Sequence, residues 1–438
     1  MGILKEFRKL AFWGSDFVKG SPVRKHYDEV KYIIDNHGTE KAESIKRNHI
    51  RNLLAHARAT VPFYMENTES SAFESFPVIT KNTVLANYDG FKSSKFLNSR
   101  NTQVSTNGST GTPFKLFHNR DKRYRHQADN LLFAERGGYQ LGDRMYLLRA
   151  LHKNDMKSLM RFFRQNFSAY GVLNYTDAEI EKLLREFTTG ESGKCIVCFA
   201  SMCEIIVNYL DSKNAQPLKS KVKSIVTDGD ALSKGTKDKM EYYFGVPVYA
   251  RYGNMECGVM AQQGPPNNYH YQLNLGSYHF EVLDLHEDRP VEPGKMGRIV
   301  VTDLFNYCMP LIRYDTGDLA KLGENDLPNT PPVFESIEGR VVDLIWDTDG
   351  GVVSPYLIYT ITEKYDELKQ FQFAQTGEGV YEYRLNVWGD RFDRVEELIS
   401  ESKRYLGQNA QITTKYVDEV PLLKSNKRKP VINEFRGR

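Results

Sequence analysis

Lys223-Ser-Ile-Val-Thr-Asp-Gly229 and Val246-Pro-Val-Tyr-Ala-Arg-Tyr-Gly253 decide the fold class. Both are short apolar runs, which read as strands buried on both faces, and each runs into a glycine-bearing loop. Such loops are where α/β proteins bind ligands. Working outward, Met145–Leu148 and Cys195–Ala200 repeat the short apolar pattern, and Asp177–Phe187 between them is helically periodic. That alternation predicts α/β architecture, sheets flanked by helices. Further upstream, Ile45, Ile50, Leu53, Leu54 and Ala57 form one helical stripe that stops at Pro62. After Asn274 the pattern changes: Ser277–Asp284 and Gly297–Leu304 flank a turn at Glu292, Pro293 and Gly294 and read as a β-rich subregion. Gly323–Pro332 is a polar, proline-rich connection, followed by alternating strand (Tyr381–Val387) and helix (Arg391–Leu406). A boundary is therefore expected near Arg340, with a large domain over 1–340 and a small α+β domain over 341–438.

The chain has 438 residues, with 59 Lys and Arg against 56 Asp and Glu, a net charge of +3. With 40% hydrophobic and 26% charged residues it has the composition of an ordinary globular protein, not a disordered, collagen-like or disulfide-stapled chain. The near balance of charge excludes a nucleic-acid-wide basic footprint. Five cysteines without framework spacing point to a reducing cytoplasm, and no run is long enough to span a bilayer or to serve as a secretory signal. Near the start, Ile3, Phe7, Leu10, Ala11 and Phe17 recur at helical spacing among Lys5, Arg8, Lys9 and Lys19. The pattern describes an interfacial membrane helix or a helix packed on its own domain; the second is the ordinary outcome for amphipathic helices.

Three segments carry the chemistry. Ser105-Thr-Asn-Gly-Ser-Thr-Gly-Thr-Pro113 is a loop of small hydroxyl residues and glycines whose backbone N–H groups suit a phosphate, although a surface turn shares the composition. It lacks the Gly-Lys-Ser/Thr ending of a Walker loop. Arg251-Tyr-Gly-Asn-Met-Glu-Cys-Gly258 is expected as a loop at the end of a buried strand. There Glu256 suits Mg²⁺, and the Tyr252 ring can stack on a flat base without needing a hydrogen bond; a solvated loop is the alternative. Met309–Asp318 reads as a strand ending in acids. Its Asp318 carboxylate can accept from two adjacent ribose hydroxyls or merely cap a turn after Gly317. Arg340 in the boundary segment and Lys427 in a basic stretch would remain unremarkable by position alone.

In order, these pieces, together with His56–Tyr64, Phe76–Lys81 and Val300–Ala320, resemble the adenylate-forming (acyl-activating) superfamily. The resemblance is to the phenylacetate-CoA ligase branch and its capsular polysaccharide biosynthesis relatives, over nearly the whole chain. It implies an adenylate-forming N-terminal domain and a small mobile C-terminal domain that supplies a catalytic lysine. By the same resemblance, Thr106, Ser109, Thr110, Gly111 and Thr112 hold the ATP phosphates, and Gly229 and Asp230 lie beside the adenine. The segment Arg251, Tyr252, Gly253, Asn254 and Met255 lines the nucleotide, Glu256 binds Mg²⁺, Asp318 binds the ribose and Arg340 the ribose or phosphates. Lys427 aligns as the catalytic lysine, with Lys429 as the nearby competitor. Phe199, Ala200 and Ser201 align with the acyl pocket. Substrates would be ATP, a small-molecule carboxylic acid, and either coenzyme A or an amine or sugar hydroxyl acceptor, in a cytoplasmic homodimer.

The sequence departs from the family pattern at Asn107, Met255, Val342 and Asn426. By the resemblance, Asn107 and Met255 stand beside the phosphates where the family has hydroxyl residues, Val342 stands at the polar hinge position and Asn426 replaces the glycine before the lysine; none removes a charge that adenylation needs, but the full rotation to a thioester-forming state is less secure. Cys195, Cys198 and Cys203 are read as part of a buried strand and helix and not as a zinc site, because Cys195 and Cys198 fall on opposite strand faces. Two further readings stay open: an adenylyltransferase that leaves AMP on its substrate, and a non-catalytic nucleotide-binding scaffold.

Overall fold

The computed structural model describes residues 2–106, 114–149, 166–171, 176–190, 193–229, 232, 234–265, 269–284, 287–323, 330–338, 345–353, 355–362, 364–365, 367–387, 389, 391–420 and 431–435. They begin with helices α1 (Gly2–Val18), α2 (Pro22–Asp35), α3 (Glu40–Thr60), α4 (Pro62–Glu66) and α5 (Lys81–Ala86). Next come β1 (Thr102–Thr106), β2 (Phe114–His118), α6 (Arg120–Arg136), β3 (Arg144–Arg149) and β4 (Phe167–Gly171). The middle of the chain alternates: α7 (Asp177–Thr188), β5 (Lys194–Phe199), α8 (Ala200–Ser212), β6 (Val222–Asp228), α9 (Lys234–Phe244) and β7 (Val248–Asn254). A run of strands follows, β8 (Gly258–Gln263), β9 (Tyr271–Leu273), β10 (Tyr278–Leu283), β11 (Met296–Asp303), β12 (Tyr314–Leu322) and β13 (Val333–Glu338). The last part holds β14 (Ile345–Trp346), β15 (Val352–Val353), α10 (Pro355–Thr362), β16 (Leu368–Gly377), β17 (Val380–Val387), α11 (Val395–Leu406), β18 (Gln411–Tyr416) and β19 (Val431–Asn433).

The α/β class is as expected from the sequence. Local chemistry explains several boundaries. Pro62 opens α4 after Thr60 ends α3, since proline cannot donate into a helix interior but is tolerated at a first turn. A capping box between Thr176 and Glu179 starts α7, and one between Thr80 and Thr83 starts α5.

Contacts divide the chain into two compact units: residues 1–105, 115–143 and 249–340, and residues 106–114, 144–248 and 341–438. In the first unit, strands run in the order β10-β11-β12-β13-β9-β8-β7, antiparallel throughout. The expected hairpin is β10 with β11, in register from Tyr278↔Asp303 to Leu283↔Arg298. Ala261, Leu273, Leu275, Val282, Ile299, Ala320 and Phe334 form a core beneath these strands.

In the second unit, β4-β3-β5-β6 are parallel neighbours. Tyr146, Ile196, Cys198 and Ile225 from these strands pack with Phe187, Ile206 and Met240 of α7, α8 and α9. Residues 345–435 have a core of their own around Phe373, Tyr381, Tyr383, Leu398 and Leu406. There β16 and β17 are antiparallel, flanked by β19 and β18 in parallel.

Candidate active site

Arg251–Gly258 begins inside the strand expected over Val246–Gly253 and is not a separate loop: Arg251–Asn254 belong to β7, which turns through Met255–Cys257 directly into β8, with Asn254 opposite Gly258. Two features permit so tight a return. A Cβ at Gly253 would lie 2.5 Å from the Gly258 carbonyl oxygen, and Gly258 itself holds φ +112. The Asn254 Oδ1 accepts from the Cys257 N–H at 2.8 Å, closing the turn. Arg251 Nε donates across the hairpin to Gln262 Oε1 at 2.9 Å. Met255 projects outward at the tip, 56% exposed, whereas Glu256 is buried.

The turn is fastened from beneath. The His118 ring Nε2 lies 2.9 Å from the Glu256 carbonyl, so Nε2 carries the hydrogen. Tyr278 donates to the Cys257 carbonyl at 2.5 Å, and Lys122 Nζ donates to the Tyr278 hydroxyl at 3.2 Å. Lys122 and Asp303 form a fully buried ion pair at 2.6 Å. Beside it, Arg125 donates to Ser277 Oγ at 2.7 Å and to Glu29 at 2.7 Å, while Ser277 donates to Asp129 at 2.7 Å. Burial, then the charge of Lys122, pushes His118 down to about 4, so its ring is neutral at pH 7. Burial, with the adjoining Asp303 carboxylate, holds the Cys257 thiol and Tyr278 phenol well above their usual ranges.

Sequence reasoning missed these residues. Their signal was helix α6, whose positions Lys122, Arg125 and Asp129 are all buried where apolar residues belong. Spaced by three and four, they put charge on a helix's inner face, a pattern that marks a paired polar network once burial is known.

Met309–Asp318 also differs from its reading. Residues 309–313 are irregular and β12 begins at Tyr314, so Asp315 and Asp318 lie within a strand and not at the end of one. The cause is Arg313, in the left-handed region at φ 51. Its guanidinium forms a bond pair with Glu281 at 2.9 and 3.1 Å and reaches the Phe76 carbonyl at 3.0 Å, which offsets the backbone cost. Gly317, at φ 78, sits where the β11–β12 register shifts.

The two motifs meet at Tyr252 and Asp318. The Tyr252 hydroxyl donates to Asp318 Oδ2 at 2.8 Å and lies 3.1 Å from Thr316 Oγ1. The Asp318 backbone N–H donates to the same Thr316 oxygen at 3.2 Å. Burial and then the Asp318 charge raise the Tyr252 phenol well above its usual value, so it remains a donor. A ring expected to act without a hydrogen bond is thus tied to the carboxylate expected to bind ribose.

Gly229 and Thr106 belong to the second unit: Gly229 follows β6 at φ 86, and Thr106 ends β1. Ser109, Thr110, Gly111, Thr112, Asp230, Arg340, Lys427 and Lys429 lie outside the described residues, as do Asn107, Val342 and Asn426. Phe199 closes β5 and the buried Ala200 opens α8. Cys195, Cys198 and Cys203 are buried and form no disulfide, the last two sulfurs lying 3.5 Å apart. Among the described residues, no group of three or more His, Cys, Asp or Glu is arranged to hold a metal ion.

With this geometry in place, the architecture can be compared with known proteins. A 2-hydroxyisobutyryl-CoA ligase solved with 2-HIB-AMP and CoA in its thioester-forming state superposes at TM-score 0.60 with 18% identity, covering 91% of this chain and 92% of that one. Its open form, with the same two molecules, gives 0.55 and 17% over 91% and 93%. The chain shares the fold of this CoA ligase. Protein CapK of Staphylococcus aureus is 21% identical over 452 residues, 97% of this chain and 95% of CapK. No protein-family model matches. No helix among the described residues is long and apolar enough to cross a membrane.

Proposed function

We propose that this protein is an ATP-dependent carboxylate-activating ligase. The observation that carries the reading is the Tyr252–Asp318 contact, which joins two separately identified nucleotide motifs within an adenylate-forming fold. A carboxylate oxygen of the acid attacks the α-phosphorus of ATP, the bond to the bridging oxygen breaks, and pyrophosphate leaves. Two anions must approach, so catalysis rests on positioning and preorganised positive charge.

Asp318 accepts from the ribose hydroxyls while Tyr252 holds its carboxylate in place and offers a ring face to the adenine. Glu256 is a hard oxygen donor on a fixed turn, which fits Mg²⁺ held by one carboxylate and substrate phosphates. Bound there, Mg²⁺ supplies charge neutralisation at the phosphates. The loop Thr106–Thr112 binds the leaving pyrophosphate, Gly229 and Asp230 border the base, and Arg340 contacts the ribose or phosphates. Lys427, on a separately moving domain over 341–438, offsets charge developing at the α-phosphate.

The acyl group then passes to coenzyme A or to an amine or hydroxyl acceptor. The 2-hydroxyisobutyryl-CoA ligase bound to CoA supports a thioester product. The phenylacetate-CoA ligase-like assignment, a setting in surface polysaccharide synthesis, a cytoplasmic location and a homodimer rest on sequence resemblance. Hydroxylamine trapping across aryl, fatty, hydroxy and sugar acids tests the first step. Acid-dependent hydroxamate with AMP release, much reduced in Glu256→Gln, is expected. ATP binding without hydroxamate from any acid class would contradict the reading.

A further inference from the structure

Helix α1, Gly2–Val18, was expected to pack its apolar residues on its own domain, and it packs the opposite way. Its inner face is mixed: Lys5 pairs with Asp143 at 2.8 Å, and Trp13 meets Tyr27 edge-on at 5.9 Å. The buried Asp16 carboxylate accepts from the N–H groups of Val23 and Arg24 at 3.1 and 2.9 Å, fixing α1 to the start of α2. At about 100° per residue, Leu4, Phe7, Leu10, Ala11, Phe17 and Val18 fall together on the other side. They face solvent: Phe7 is 65% exposed, Leu10 70%, Phe17 77% and Val18 86%. A continuous apolar stripe of this kind on a folded unit marks an interaction surface.

Charge selects the occupant. Residues 1–25 hold six cations (Lys5, Arg8, Lys9, Lys19, Arg24 and Lys25) against Glu6 and the buried Asp16, a net +4 where the whole chain carries +3. Lys5 is paired with Asp143 and Arg24 with Asp28, so Arg8, Lys9, Lys19 and Lys25, against Glu6, are the cations of this segment that set the charge beside the stripe. Glu6, the exposed acid of α1, lies 3.8 Å from Lys9. Two copies meeting through α1 would bring like charges together, whereas an anionic lipid surface is complementary to them.

We propose that α1 is an interfacial membrane helix, laying Leu4, Phe7, Leu10, Phe17 and Val18 into the headgroup–acyl boundary of a bilayer that contains anionic lipid. The helix lies on the membrane and does not cross it. The inference is independent of the reaction assigned above.

The test is flotation of the full chain with phosphatidylcholine vesicles, with and without phosphatidylglycerol, alongside the triple variant Phe7→Ser/Leu10→Ser/Phe17→Ser. These side chains are exposed, so the variant should retain the wild-type melting transition and circular dichroism. Each apolar group withdrawn from the interface lowers partitioning about tenfold, so the triple variant should bind at least about a hundredfold less. Lys9→Ser/Lys19→Ser/Lys25→Ser should weaken binding to phosphatidylglycerol vesicles, as should raising salt from about 0.1 to 1 M, which shortens the screening length from about 10 to 3 Å. Absence of flotation with phosphatidylglycerol vesicles would overturn the proposal. So would equal flotation of the folded triple variant, or a dimer that the triple variant converts to monomer without any vesicle binding.

Discussion

Replacing Lys122 by Met keeps most of the side-chain volume and removes one charge from a pair in which neither partner reaches solvent. Lys122 and Asp303 lie 2.6 Å apart with both side chains wholly buried. Deleting the cation leaves a buried carboxylate without its counter-charge, which costs about 3–5 kcal/mol. Asp303→Asn strands the ammonium instead and should cost a similar amount. The double variant should cost about 2–3 kcal/mol less than the sum, because its second change removes the charge that the first left unpaired. Urea unfolding of the four proteins at neutral pH measures this coupling. Tyr278→Phe, which removes the bond to the Cys257 carbonyl, should loosen the turn and raise the Mg²⁺ concentration needed for adenylation. Additive single losses, each below about 1 kcal/mol, would refute the reasoning, because they describe a solvated pair.

Tyr252→Phe should cost about 1–2 kcal/mol of stability through the lost bond to Asp318, and should raise the KM for ATP about tenfold with a smaller change in kcat; unchanged KM would separate the contact from nucleotide binding. His118, held down to about 4 by burial and Lys122, refuses a proton that the unfolded chain accepts at its usual value, about 6.5. Stability should therefore fall as pH drops across that window, by up to about 3 kcal/mol from this group, with a further share from His279, also pushed down to about 4 by burial. His118→Gln should remove roughly half of that slope in urea midpoints measured across the window, and an unaltered slope would contradict the assignment. Gly253→Ala forces a methyl against the Gly258 carbonyl and should cost about 1–3 kcal/mol while reducing adenylation; a melting temperature equal to wild type would show that the hairpin can open without strain.

Strands β5 and β6 were legible because mostly buried strands are short apolar runs, β7 because its first residues Val248–Ala250 are buried, and helix α7 because its buried Ile180, Leu183, Leu184 and Phe187 recur at helical spacing. The strand start at Tyr314 was not legible, since it depends on Arg313 meeting Glu281 across 32 residues of sequence. Nor was the packing of α1: periodicity identifies an apolar face but not whether another element covers it. Tyr252 and Asp318 were each identified from motifs, yet their bond follows from strand order, which places β7 and β12 in one sheet with β8, β9 and β13 between them. The Lys122–Asp303 pair was hidden for another reason. Charged residues on a helix read as a solvated face until the packing shows that they point inward.

Acid-dependent exchange of labelled pyrophosphate into ATP, with Mg²⁺ present, tests carboxylate activation most directly, because only a reversible adenylation step returns the label to ATP. Exchange with one class of acid, strongly reduced in both Lys427→Ala and Asp318→Ala proteins that still fold, is the expected result. ATP binding accompanied by no exchange with aryl, fatty, hydroxy, amino or sugar acids would contradict it.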